Sequence, residues 1–135
     1  MEEPKKEESK TNYGKKSRKK FIAKGQAHIK ATYNNTVITI CDLKGNVLFW
    51  STSGKMGFKG PKKSTPYAAG VVVRDIVDKM KTVAMKEIDI FVRGVGSGRE
   101  AAIRAFNAQG INISCIKDVT PIPHNGPRPK RPRRV

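Results

Sequence analysis

At 135 residues the chain suits one domain with tails, since two separate cores would be hard to fill at this length. Lysine and arginine number 28 against 11 acids, a formal charge of +17, and so large an excess calls for a polyanionic partner, nucleic acid foremost. No run approaches the roughly 20 apolar residues of a membrane span, "MEEPKKEESK" has no apolar signal core, and the basic stretches lack the apolar face of an interfacial helix, so an intracellular protein with no membrane partner is expected.

From Met1 to Lys20 the sequence is almost wholly polar and ends in a cluster of Lys15, Lys16, Arg18, Lys19 and Lys20. Such a stretch cannot bury a face, and residues 1–22 read as a basic arm whose lysines and arginine are candidate RNA contacts. The folded part starts at residue 23. "AHIKATY" alternates Ile29, Ala31 and Tyr33 against more polar neighbours, and "TVITICD" is rich in β-branched residues, so both are strands, joined through Asn34 and Asn35. "NVLFWST" follows the turn signal "DLKGN", which makes Ala27 to Thr52 a three-stranded antiparallel meander. Trp50 lies inside its third strand and reads as core or a strand-face contact. Cys41 and Cys115 stand alone in strand-like runs without C-x-x-C spacing, as reduced buried thiols do.

The period then changes. Ala69, Val73, Ile76, Met80 and Val83 share one helical face, with Thr65 as the N-cap and Pro66 in the first turn. "EIDIFVR" returns to period two, "REAAIRAFNA" is a short helix stopped by Gly110, and "INISCIKDV" is a last strand. The order βββαβαβ with right-handed crossovers predicts an α/β fold: a single three-layer domain over residues 23–120. Its expected centre is a mixed five-stranded sheet of order 3-2-1-4-5, a ribonuclease H-like topology. Residues 121–135 alternate proline with basic residues, which holds the chain extended as a second basic arm. His124, Asn125, Arg128, Lys130, Arg131, Arg133 and Arg134 are its candidate RNA contacts.

"RGVGSGREAAIRAF" carries glycines at 94, 96 and 98 between Arg93 and Arg99, where a strand enters a helix, and Ser97 with Glu100 spells an S-x-x-E capping box. Unpaired amides at a helix start beside glycines and two arginines suit an anion, so Arg93, Gly96, Ser97 and Arg99 are candidate contacts; a tight turn with no ligand is the alternative. Asp118, twenty residues after Gly98, imitates a ribose-binding acid, but the glycine pattern is not G-x-G-x-x-G, no second nucleotide-binding half follows, and G-x-x-x-x-G-K-[ST] is missing. A ribonuclease would need carboxylates converging on two metal ions, yet "AHIKATY", which should supply the central one, contains none; Asp75 and Asp78 sit on the solvent side of the long helix, and Asp89 stands alone. No Ser/His or Cys/His pairing replaces them. No enzyme activity, metal or cofactor is expected.

Between Leu43 and Arg74 there is no acidic residue, and "GKMGFKGPKKS" sets glycines among Lys55, Lys59, Lys62 and Lys63. This loop can bend onto a phosphate backbone, and Phe58 can stack on an unpaired base. Asn34 and Asn35 complete the candidate contacts. No RNP aromatic pair, GXXG loop or zinc spacing marks a base-reading module, so recognition of RNA shape and backbone is expected.

The blocks "ATYNNT", "GKMGFKG", "TPYAAG", "RGVGSGREAAIRA" and "DVTPIPHNG", followed by a basic tail, resemble the universal small-subunit ribosomal protein eleven family, of bacterial type, over about residues 23–135. Pro127 departs from the family pattern, which has a small residue there. The resemblance implies a structural constituent of the small ribosomal subunit, located with the ribosome in a bacterial cytoplasm or an organelle. It further implies a place on the platform, bridging helices of the small-subunit rRNA near the messenger exit path. The partners it implies are ribosomal proteins seven and eighteen, with messenger RNA and initiation factor three nearby.

Overall fold

The computed structural model describes residues 21–134. Three strands come first, β1 (Lys24–Ala31), β2 (Thr36–Cys41) and β3 (Val47–Thr52), then helix α1 (Pro66–Met80), β4 (Glu87–Gly94), α2 (Gly98–Ala108) and β5 (Asn112–Asp118). The strands form one sheet in the order β3-β2-β1-β4-β5, as expected. β2 is antiparallel to both β1 and β3, while β4 is parallel to β1 and β5 parallel to β4, so every strand except β2 points the same way.

Strand alternation sorts the side chains. Ala27, Ile29 and Ala31 of β1, Ile38 and Ile40 of β2, and Ile88, Ile90 and Val92 of β4 are buried on one face; His28, Lys30 and Arg93 are exposed on the other. Against the buried face α1 sets Ala69, Val72, Val73, Ile76, Val77 and Met80, and α2 sets Ala102 and Phe106. Each fully buried Val, Ile, Met or Phe contributes roughly 1.5–3 kcal/mol of transfer free energy, which makes this shared layer the main source of stability.

The expected third layer is not found among the described residues. α1 and α2 pack against each other on the same side of the sheet, giving two layers and an open sheet face. The reason lies in the topology. From β3 to β4 and from β4 to β5 the chain steps in the same direction across the sheet, so crossovers of one hand carry both helices to one side. Close approach of the helices depends on Gly98, where a Cβ would come within 3.3 Å of Ala69 Cβ and 2.5 Å of Thr36 Oγ1.

Several local readings also change: α1 stops at Met80, with Val83 in a 3-10 turn beyond it, and Cys115 is half-buried where Cys41 is buried. β1 begins at Lys24 and ends at Ala31, so Tyr33 is not an inward strand residue; it sits in the hairpin turn and is exposed. Trp50 is half exposed. The cap of α1 forms as expected, with Thr65 Oγ1 accepting from Ala68 N at 3.3 Å while donating to Lys62 O at 2.8 Å. The capping box of α2 does not form. Ser97 is itself in the helical region at φ −69°, ψ −13°, where its hydroxyl cannot reach back over the first turn. Replacing Thr65 with Ala is therefore expected to lower stability by about 1 kcal/mol, whereas Glu100→Gln should stay within ~0.5 kcal/mol. Urea denaturation midpoints of the two variants check this, and equal losses would contradict the assignment of caps.

Candidate nucleic-acid interface

Since β1, β3, β4 and β5 point the same way, four connections emerge at a single end of the sheet. They are the β1-β2 hairpin, the lysine loop before α1, the glycine turn before α2, and the chain after β5. Ser97 Oγ donates to Ser64 O at 2.7 Å, which ties the glycine turn to the end of the lysine loop. Both helices thus start side by side here, and the partial positive charge of their N-termini adds to that of the side chains.

The lysine loop holds its own shape. Lys55 N donates to Thr52 Oγ1 (3.1 Å), Met56 N to Thr52 O (3.2 Å) and Phe58 N to Ser53 O (3.2 Å), and a 3-10 turn over Gly60–Ser64 leads into the cap. With these amides bonded internally, Lys55, Lys59 and Lys62 are exposed and Lys63 half-buried. None of these lysines, nor Arg93, forms an ion pair among the described residues. Met56 packs against the core, while Phe58 meets Tyr67 edge to face at 6.0 Å. Tyr33 and Tyr67, 76% and 69% exposed, are two aromatic rings at this end that sequence reasoning passed over. A tyrosine just outside a strand and one in a helix's first turn were the available signals.

In the hairpin the two asparagines differ. Asn35 Oδ1 accepts from Thr36 N at 2.9 Å and so shapes the turn, whereas Asn34 is exposed. The glycine turn divides too. Gly96 is buried with its N–H given to Ala31 O at 3.0 Å, so it positions the turn, and Ser97 is exposed with its hydroxyl donated to Ser64. Arg93 is exposed.

Arg99 is engaged within the protein. Its guanidinium donates to Gly94 O at 2.8 Å and to Asp118 Oδ2 at 2.5 Å. Asp118 Oδ1 also accepts from Thr120 N (3.0 Å) and Thr120 Oγ1 (2.6 Å), and Gly94 N donates to Thr120 Oγ1 at 3.2 Å. Asp118, at the end of the last strand, is therefore the hub that joins β4, α2 and the start of the C-terminal arm. The hydrogen bonds from Thr120, with the Arg99 guanidinium beside them, hold its carboxyl down at about 2. Beyond Thr120 residues 121–134 are exposed, with His124, Arg128, Lys130, Arg131, Arg133 and Arg134 along them and a turn at Asn125, φ 60°. Lys15, Lys16, Arg18, Lys19 and Lys20 lie outside the described residues.

Carboxylates sit mostly elsewhere. Glu87 and Asp89 face Lys24 at 3.2 and 3.5 Å near the opposite end of the sheet, and Asp75 pairs with Lys79 at 2.6 Å along α1. An end with unpaired lysines, two helix N-termini, exposed aromatic rings and a basic ribbon can hold phosphates and stack bases; the arrangement has a place for a polyanion.

Two measurements test this construction. Asp118 is ionised more readily in the folded chain than in the unfolded one, so its stabilisation is complete above the unfolded value of about 3.9 and is lost as pH falls towards 2. The stability gap between the wild type and Asp118→Asn should accordingly narrow between pH ~5 and pH ~2, as read from denaturant midpoints; a constant gap would contradict the role of the carboxylate. Gly94 has φ +98°, and a Cβ there would fall 2.1 Å from Ala31 O. Gly94→Ala should cost roughly 2–5 kcal/mol from strain and overlap together, and a neutral result in thermal unfolding would remove the turn's dependence on glycine.

A family model described as "Ribosomal protein S11" matches residues 25–134. The match takes in the hairpin, the lysine loop, the glycine turn and the C-terminal arm.

Proposed function

The chain belongs to the ribosomal protein S11 family, structural proteins of the small ribosomal subunit associated with its rRNA and proteins, and from that premise we propose that the basic end of the sheet is its grip on rRNA. The observation that carries the reading is the lysine loop, Lys55, Lys59, Lys62 and Lys63, beside two helix starts, with Arg93 at the same end of the sheet on its open face and none of the five in an ion pair among the described residues. Cations left without internal counter-charge gain most from phosphates, whose condensed counterions are released on contact. Asn34, Phe58, Tyr33 and Tyr67 add polar and stacking contacts around them.

In this reading the folded domain, residues 23–120, is the rigid part, and the arms at 1–22 and 121–135 run between RNA segments. Proline and arginine alternation suits the second arm to this: proline limits the conformations lost on binding, while Arg128, Lys130, Arg131, Arg133 and Arg134 meet successive phosphates. Asp118 and Arg99 fix the direction in which that arm leaves the sheet. Contacts from a domain and two arms would bridge several helices of the small-subunit rRNA. The family resemblance supports a place on the platform near the messenger exit path, beside ribosomal proteins seven and eighteen and close to initiation factor three.

Binding of small-subunit rRNA should weaken with salt, each phosphate contact adding roughly 0.7–0.9 to the slope of log affinity against log salt concentration. Lys62→Ala/Lys63→Ala should lower that slope by about 1–2; an unchanged slope would take the loop out of the interface. Removing residues 121–135 leaves the Asp118–Thr120 hydrogen bonds in place, so filter binding should weaken while the urea midpoint holds. Unfolding of the shortened chain would make the arm a structural element instead.

A further inference from the structure

The open face of the sheet carries a second feature, separate from the loops. By register, Trp50, Thr39, His28, Phe91 and Lys117 stand side by side, one from each strand in the order β3-β2-β1-β4-β5. Four interstrand gaps make this row roughly 19 Å long. His28 and Phe91 stack with ring centroids 5.1 Å apart and planes 12° from parallel. Lys117 Nζ stands 5.9 Å from the centre of the Phe91 ring, and Lys55 Nζ stands 4.5 Å from that of Trp50. The neighbouring row brings Val37, Lys30 and Arg93 together, and a groove of about 260 Å³ runs between the rows beside Val119.

Trp50 is 52% exposed and His28 and Lys30 are exposed, so this face is accessible to a partner. The charge pattern says of what kind. Lys30, Arg93, Lys117 and Lys55 form no ion pair among the described residues. The acids of this face, Glu87 and Asp89, both face Lys24; Asp89 lies in the row next to Phe91, on the side away from Lys30 and Arg93, and Glu87 one row further. A second copy of a chain with formal charge +17 would be repelled, and an apolar protein surface would bury these cations unpaired.

We propose that this face binds an unpaired stretch of RNA, with bases stacked on the His28–Phe91 pair and on Trp50 and with the backbone held by Lys30, Arg93 and Lys117. The inference rests on the RNA-binding reading above and adds a site to it: the loops meet backbone, whereas the sheet face takes splayed bases. Every base has a π-face, so the site tolerates sequence but requires single strands. Lys55 and Arg93 border both surfaces, so one RNA can cross from the basic end onto the sheet.

Trp50 is the chain's one tryptophan, so its fluorescence reports from this face and its border with the lysine loop. The full chain is titrated at fixed salt with a single-stranded ten-nucleotide oligouridylate, with an RNA duplex of equal length, and with an acidic oligoglutamate. The proposal expects quenching by the single strand and little by the duplex or the peptide. His28→Ser should weaken the single strand roughly five-fold or more, the low end of what one stacked base contributes, and leave duplex affinity unchanged. Lys62→Ala/Lys63→Ala should weaken the duplex while the single strand still quenches Trp50 at saturation. Equal quenching by single strand and duplex would reduce the face to a charged surface and overturn the base site; a response to oligoglutamate alone would assign it to an acidic protein. If both RNAs bind, lose affinity in the lysine-loop variant and leave Trp50 unmoved, the loop reading stands and the sheet-face proposal fails. No binding of either RNA defeats both.

Discussion

Strand direction governs the architecture. Once β4 and β5 run parallel to β1, each return must cross over the sheet, and both crossovers step the same way. From this follow the layer of two helices on one face, the bare second face, and the convergence of the hairpin, the lysine loop, the glycine turn and the arm at one end. The cations gather because the connections do. An antiparallel pairing of β4 with β1 would have sent the glycine turn to the opposite end, where Glu87 and Asp89 share Lys24.

A parallel sheet alone leaves the end loosely held, and three contacts make it a fixed surface. Ser97 joins the glycine turn to the lysine loop, Gly98 lets α2 lie against α1, and Asp118 gathers Arg99 and Thr120 with the end of β4. Polar groups at this end divide between those bonded internally and those without an ion pair among the described residues. Arg99 and Asn35 have internal partners, whereas Arg93 and the loop lysines have none that are acidic among the described residues. Binding a large RNA with pre-positioned cations loses less conformational entropy than ordering them on contact.

Periodicity made most of the fold readable. Alternation in "TVITIC" and "EIDIFV", the 3.6-residue recurrence along α1, and the Thr65-Pro66 start are local signals, and the elements appear there, with α1 stopping at Met80, short of Val83. What failed depended on partners distant in sequence. The S-x-x-E motif at Ser97 competes with a carbonyl 33 residues away, and the carbonyl wins because Ser97 is already helical. The side of the sheet taken by α2 follows from strand order and crossover hand together, which no single segment carries. For the proposed interface, the lysine loop and Arg93 are legible in the sequence as charge without nearby counter-charge. Arg99 looked the same in sequence, and only the fold brings Asp118 to it. Trp50, His28 and Phe91 lie on three different strands, so their shared row is a property of register that no single segment carries.

That the basic end of the sheet meets folded rRNA is tested most directly inside the assembled particle. Photo-crosslinkers placed one at a time at Lys62, Arg93 and Arg131, and at Asp42 near the opposite end, can be activated in purified small subunits and their adducts sequenced. The account predicts rRNA adducts from the first three, drawn from more than one rRNA helix, and few from Asp42. Adducts concentrated at Asp42, with the other three positions reacting only with solvent, would contradict it.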